Sequence, residues 1–283
     1  MTLFWKECIN QSTGCEEIKN IENYVSACSP QSTAPIDDFY CELSELLKIA
    51  TPELMKLHSY LGNLLLVGII SSTENYFRSI FANLINICPI SKAKASEKTI
   101  SIGSVVWQQN FDLSKVSFEH LSFADSKAIK KASRDFIDHI INEENLTSSI
   151  FSEYEKLCEL RHCIVHSSAI LKGKNAIKLQ VPPQNSSLKT LLGYNEIQQS
   201  AAICTTLVAS FNIELFSTIV TRWAVQWPKL CSTAIDSTMR KKTFKAIWDI
   251  FHSKHDKKNG LISNPLSMVK CRNCVKREYQ LNS

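Results

Sequence analysis

The chain has 283 residues, 44% hydrophobic and 21% charged, with seven glycines and eight prolines. That length carries one large domain or two small ones, each with a real core, and turn formers this scarce over long apolar-periodic stretches exclude an all-β plan. The net charge of +5 conceals an asymmetry: residues 1–60 hold four Lys/Arg against nine Asp/Glu, and residues 222–283 hold thirteen against four. A basic C-terminal end has the electrostatic character of a nucleic-acid footprint, and a solvated basic tail reads the same way. Eleven cysteines are scattered, and Cys88, Cys158, Cys163 and Cys204 fall inside helix-like segments. The start, MTLFWKEC, lacks the charged region and apolar run of a secretory signal, so free thiols in a reduced cytoplasmic setting are expected.

Residues 1–35 are polar and read as a loosely ordered arm. An amphipathic stretch, IDDFYCELSELLKIA, begins at Ile36. Pro52 suits the first turn of a long helix running to about Ile87, with a kink expected near Gly62, Gly68 and Ser71-Ser72. Its longest apolar run, LLLVGII, is too short to span a bilayer, so no membrane is expected. The stretch TISIGSVVW reads as a short β-like piece. A helix follows from about Asp125, its apolar face carrying Ile129, Phe136, Ile137 and Ile140. Another runs from about Thr147 to Leu171 and stops near Gly173. KNAIKLQV reads as a short strand inside a loop. A long buried helix over NEIQQSAAICTTLVASFNIELFSTIVTRWAVQW ends at Pro228, and RKKTFKAIWDIFHSKH makes a shorter one before a basic tail. The sum is an all-α bundle with short β pieces in its connections.

The helix expected over 147–171 carries LCELRHCIVH. His162 and His166 are four apart and share a face, and Arg161 lies roughly 140° round from His166 at 3.6 residues per turn. Cleaving an RNA strand takes a base for the 2′-hydroxyl proton, an acid for the leaving oxygen and a cation for the phosphorane. Histidine suits the proton transfers at neutral pH, and arginine binds phosphate oxygens through paired hydrogen bonds. Preorganised charge of this kind contributes several kcal/mol to a transition state, to order of magnitude about 3. Arginine plus histidine is therefore a minimal phosphodiester site.

RHCIVH resembles the signature of the HEPN superfamily of helical ribonucleases and nucleotide-binding domains. Arg161 matches its arginine, His162 its polar second position and His166 its histidine. IISSTENYFRSIFANL is similar to the early helix of that superfamily, with Glu74 at its acidic position. The resemblance covers about residues 52–228. It leaves residues 1–51 as an N-terminal arm and helix, and 229–283 as a basic C-terminal helix and tail. It implies a HEPN-like bundle that pairs as a homodimer with its motif helices face to face. It further implies RNA cleavage that requires no cofactor and leaves a 2′,3′-cyclic phosphate. His166 would be acid/base, Arg161 the phosphate clamp and His162 a helper. Glu74 would hold Arg161 or His166; a surface ion pair with Arg78, four residues on, is the simpler reading of that carboxylate. The implied biological setting is a toxin of a toxin–antitoxin pair or an antiphage defence effector, with an antitoxin or defence-complex partner. A non-catalytic nucleotide-, RNA- or protein-binding module has the same signature.

Other readings of these residues stay open. Cys158, His162 and His166 form one i, i+4, i+8 stripe of zinc-ligand types, and His162 and His166 also read as ordinary core histidines. HSKH (His252, His255) and CRNC (Cys271, Cys274) form a second ligand-type set for a structural zinc, against free surface residues. Phe244, Ile247, Trp248 and Phe251 have the spacing of a packed helix face, and Lys241, Lys242 and Lys245 are the better RNA-contact candidates.

Overall fold

A 27-residue helix that is apolar on nearly every side organises the chain. In the computed structural model, which describes residues 14, 16–26, 34–99, 102–107, 113–141, 146–230 and 237–281, this is α3 (Leu61–Ile87). It follows α1 (Pro35–Lys48) and α2 (Pro52–Leu57), and it precedes α4 (Pro89–Ser96), α5 (Ile102–Trp107), α6 (Leu113–Val116) and α7 (Ser126–Ile137). Then come α8 (Leu146–His166), α9 (Gly173–Lys178), α10 (Tyr194–Thr221), α11 (Trp227–Leu230), α12 (Ser237–Phe251), α13 (Lys254–Lys258) and α14 (Met268–Glu278). The architecture is all-α. Among the described residues the sole β feature is an isolated antiparallel bridge, Ile170 to Lys189.

Residues 33–283 form one unit and residues 1–32 another. In the latter, a 3-10 turn at Ile21–Tyr24 lies among exposed residues. The rest of the expected loose arm falls largely outside the described residues.

Within residues 33–283, α3 packs against α1, α8 and α10. Phe77 sits at the crossing, with ring centroids 5.1 Å from Phe211 on α10 and 6.4 Å from Phe151 on α8. Phe81, Phe118, Phe123 and Phe136 extend the cluster, Phe118 and Phe136 at 4.8 Å. The segment Tyr194–Leu230 is long and apolar enough by composition to cross a membrane. Its Leu207, Val208, Phe211 and Leu215 are buried in this core.

Several boundaries differ from the sequence expectations. The long helix from Pro52 breaks at residues 58–60, and α3 then runs unbroken through Gly68 and Ser71-Ser72. The glycines serve close approach: a Cβ at Gly62 would lie 1.9 Å from the Leu192 carbonyl oxygen, and one at Gly68 2.9 Å from Leu46 Cδ2. The described part of TISIGSVVW is helical, as α5. α7 ends at Ile137 because Asp138 turns left-handed (φ 58°), which leaves Ile140 exposed and off the apolar face. α8 stops at His166, five residues early, where Ser168 and Ala169 take φ of 51° and 65°. Gly173 opens α9 instead of closing α8, and KNAIKLQV is mostly that helix and its turn. Pro228 does not end the last long helix. It cannot donate a backbone hydrogen bond, and the chain widens into a π-turn over Arg222–Gln226 before continuing as α11. The basic tail contains two more helices, α13 and α14.

The N- and C-terminal parts of the 33–283 unit are joined electrostatically. Asp37 on α1 accepts hydrogen bonds from Ser253 Oγ (2.6 Å), Lys254 N (2.9 Å) and His255 N (3.2 Å), placing a carboxylate where α13 begins. A second polar cluster is buried between α7 and α10. His139 Nδ1 lies 3.1 Å from Thr218 Oγ1 and Nε2 lies 3.2 Å from Glu214 Oε1. Arg222 donates to the carbonyls of Ile137 and Asp138, satisfying the end of α7.

Two outcomes follow from this packing. Gly62→Ala must push the Leu192 carbonyl aside and is expected to cost about 3 kcal/mol or more in urea unfolding. Gly173→Ala, with open space around its Cβ, should stay within about 0.5 kcal/mol. Burial pushes the pKa of His139 below 6.5, against the opposing pull of Glu214 and with help from Arg222. The unfolded chain then takes the proton first. Stability is present above pH 6.5 and is lost as the pH falls through the lower folded value, so the urea midpoint should drop between pH 7.5 and 5.5. His139→Gln should flatten that drop.

Candidate active site

One face of α8 is committed to the core by Phe151, Tyr154, Leu157, Cys158 and Ile164, all buried. A neighbouring strip is tied to other elements. Glu155 Oε2 accepts from Ser126 N (3.0 Å) and Ser126 Oγ (2.6 Å), and Glu159 accepts from Asn175 Nδ2 (2.6 Å) and pairs with Lys178. These contacts fix the rotation of the helix. Beyond them, in the last turns of α8, His162, Val165 and His166 are exposed and Arg161 is half-buried.

The structure brings the two histidines together. Their ring centroids are 4.7 Å apart, with the planes at 46°. Arg161 forms no hydrogen bond or ion pair with the described residues, so its guanidinium is unspent. Neither histidine has a carboxylate partner among them. The reading of His162 and His166 as core histidines is excluded by their exposure. Cys158, the third member of the zinc-type stripe, points inward, and burial pushes its thiol well above the ordinary value, opposing the thiolate a metal would need.

Glu74 is elsewhere in the network. Its Oε1 accepts from Phe123 N (2.6 Å), Ser122 Oγ (3.1 Å) and Arg78 Nη2 (3.1 Å), and Arg78 also donates to the Leu121 carbonyl. Tyr154 on α8 donates to the Phe123 carbonyl at 3.0 Å. The expected role in holding Arg161 or His166 is corrected by this geometry: the buried carboxylate clamps residues 121–123 between α3 and α8.

The chain reverses sharply after His166. The amides of Ser167 and Ala169 both donate to the Cys163 carbonyl at 3.0 Å, and the Ala169 carbonyl accepts from Thr190 N at 2.7 Å. Thr190 in turn accepts through its carbonyl from Asn63 Nδ2 of α3 at 3.1 Å. The end of α8, the 188–192 segment and the start of α3 are thereby one connected surface. It exposes Val165, Ile170, Leu191 (64%), Leu64 and Tyr60, and α2 adds Leu57 (74%). Lys172, Lys174 and Lys189 are exposed on the same segments. Sequence reasoning passed over these lysines, although LKGKNAIK, beginning five residues after the motif ends, was a usable signal for Lys172 and Lys174.

Lys241, Lys242 and Lys245 are exposed on α12, which packs on α10, α3 and α1; Lys245 is paired with Asp249. Phe244, Ile247 and Phe251 are buried, as their spacing predicted. Among the described residues no group of three or more His, Cys, Asp or Glu side chains is placed to hold a metal. His255 has its ring nitrogens beside Asp256 Oδ1 (3.3 Å) and Asn259 Nδ2 (3.0 Å). Comparison with protein-family models, with curated proteins and with solved structures finds no match.

The geometry separates structural from chemical roles. Glu74→Ala leaves the buried Phe123 amide unpaired and should cost about 2 kcal/mol or more in urea unfolding, with Glu74→Gln recovering much of it. Arg161→Ala breaks no hydrogen bond with the described residues and should stay within about 0.5 kcal/mol of wild type.

Proposed function

We propose that this chain is a HEPN-type, metal-independent endoribonuclease that acts as a homodimer. The observation that carries the reading is a half-buried Arg161, without a partner among the described residues, beside two exposed histidines in ring contact at the end of α8. Exposed apolar side chains on the adjoining segments support the dimer. A solvent-facing surface with this many large apolar groups favours a partner, and a two-fold axis near α8 would place two Arg/His sets across one cleft.

In the proposed reaction the RNA 2′-hydroxyl loses its proton to one histidine as its oxygen attacks the adjacent phosphorus. The bond from phosphorus to the 5′-oxygen breaks, and that oxygen takes a proton from a second histidine. The products are a 2′,3′-cyclic phosphate and a 5′-hydroxyl, with no net change in protons. Arg161 holds the phosphoryl oxygens as charge builds on them. His166 is the acid/base, and His162 orients it or supplies the second proton site. Lys172, Lys174 and Lys189, and at longer range Lys241, Lys242 and Lys245, would hold flanking phosphates. The setting of a toxin with its antitoxin, or of an antiphage effector within a defence complex, rests on the resemblance of RHCIVH alone.

The missing carboxylate partner favours one other reading. Acid/base histidines are commonly oriented by a second group, and none among the described residues does so for His162 or His166. A non-catalytic module that binds RNA, nucleotide or protein through the same face would need no such group.

One experiment decides between them: single-stranded RNA is incubated with purified protein in EDTA, using wild type, Arg161→Ala, His162→Ala and His166→Ala, with oligomeric state measured in parallel. Cleavage by wild-type dimer, reduced about 100-fold or more by Arg161→Ala and His166→Ala, is the expected result. RNA that is bound but left intact by a folded dimer supports the binding module. Leu64→Asp with Leu191→Asp should reduce dimer and cleavage together.

A further inference from the structure

A cavity of about 350 Å³ lies between α10, the end of α12 and the 261–266 segment. None of Arg161, His162 and His166 lines it. Its walls are aromatic. Trp248 stacks on His252 with ring centroids 4.2 Å apart and planes at 24°, and Phe216 lies 5.5 Å from Phe251. Asn212, deeper in, is already satisfied: it accepts from Tyr76 Oη and donates to the Phe251 carbonyl.

Among the described residues Asp256 is the one carboxylate in the lining. It accepts from Tyr40 Oη and lies beside His255 Nδ1, each at 3.3 Å, which leaves lone pairs free for another donor. No lysine or arginine lines the cavity among the described residues. Burial, then the nearby Lys257 and Lys254, push His252 below its ordinary value, so its ring brings no positive charge at neutral pH. The mouth is shaped by a turn in which Gly260 takes φ 66° and the Leu261 amide donates to the Asp256 carbonyl at 2.9 Å. Ile213 and Leu261 stand exposed there.

These features select a ligand class. The volume is at the small end of ligand sites and suits a substituted ring system, not a polymer. Flat aromatic walls favour a planar partner. A carboxylate in a wall that holds no lysine or arginine favours N–H donors and disfavours anions. The geometry points to a second binding site, for a neutral or cationic heteroaromatic ring with an amino/N–H edge, of the aminopurine or aminobenzimidazole type. The ring stacks on Trp248 and donates to Asp256.

The test is calorimetry on the full chain with guanosine and 2-aminobenzimidazole, and with benzoate as a planar anionic control. Saturable one-to-one binding of both amino heterocycles, with benzoate at least tenfold weaker, is the expected result. Asp256→Asn should weaken binding at least tenfold. Because that change also touches Tyr40, Ala209→Phe, which fills the cavity from α10, serves as the second variant. It should abolish binding while the circular dichroism spectrum stays unchanged. Absence of saturable binding by both heterocycles overturns the site, as does equal binding of benzoate or wild-type affinity in both variants. RNA cleavage is no part of this readout, so the outcome is independent of the chemistry at α8.

Discussion

The crossing of α3, α8 and α10 at Phe77 is the constraint from which the remaining geometry follows. A helix that buries side chains all round its circumference has to be enclosed, and α3 is enclosed by α1, α8 and α10. Phe151 and Tyr154 commit the first turns of α8 to that core. His162 is exposed although it shares a face with buried Cys158 four residues before it, so its exposure is decided by what covers the last turns of α8 after folding and not by the repeat.

Polar groups refine the arrangement. Glu74, Tyr154 and Glu155 grip the 121–126 segment from two helices, each supplying a partner that a buried backbone or hydroxyl group requires. Arg222 does the same for the end of α7. Arg161, like Arg240 and Arg272, has no side-chain hydrogen bond with the described residues, and it alone of the three adjoins a pair of histidines in ring contact. A half-buried guanidinium with no acceptor among the described residues keeps its donors available for an anion.

The C-terminal region has a different relation to the bundle. Its positive charge is not simply a tail: α12 lays Phe244, Ile247 and Phe251 into the core, and the start of α13 rests on Asp37 of the acidic N-terminal half. The cavity beside Trp248 arises where this added layer meets α10 without filling the gap between them.

Much was legible in the residues themselves. The all-α character, the long apolar helices, the packed face of α12 and the pairing of His162 with His166 follow from local spacing, because a helix repeats regularly and side chains four apart must share a face. The ion pair between Glu74 and Arg78 was readable for the same reason. Tertiary contact decided the rest. It set the close approaches that Gly62 and Gly68 allow, to Leu192 and Leu46. It ended α8 at His166 and bound Glu74 to Phe123. It opened a cavity between α10, the end of α12 and the 261–266 segment. Local periodicity is a property of neighbours along the chain, whereas closeness of backbones, satisfaction of buried groups and empty volume are properties of segments that meet only after folding.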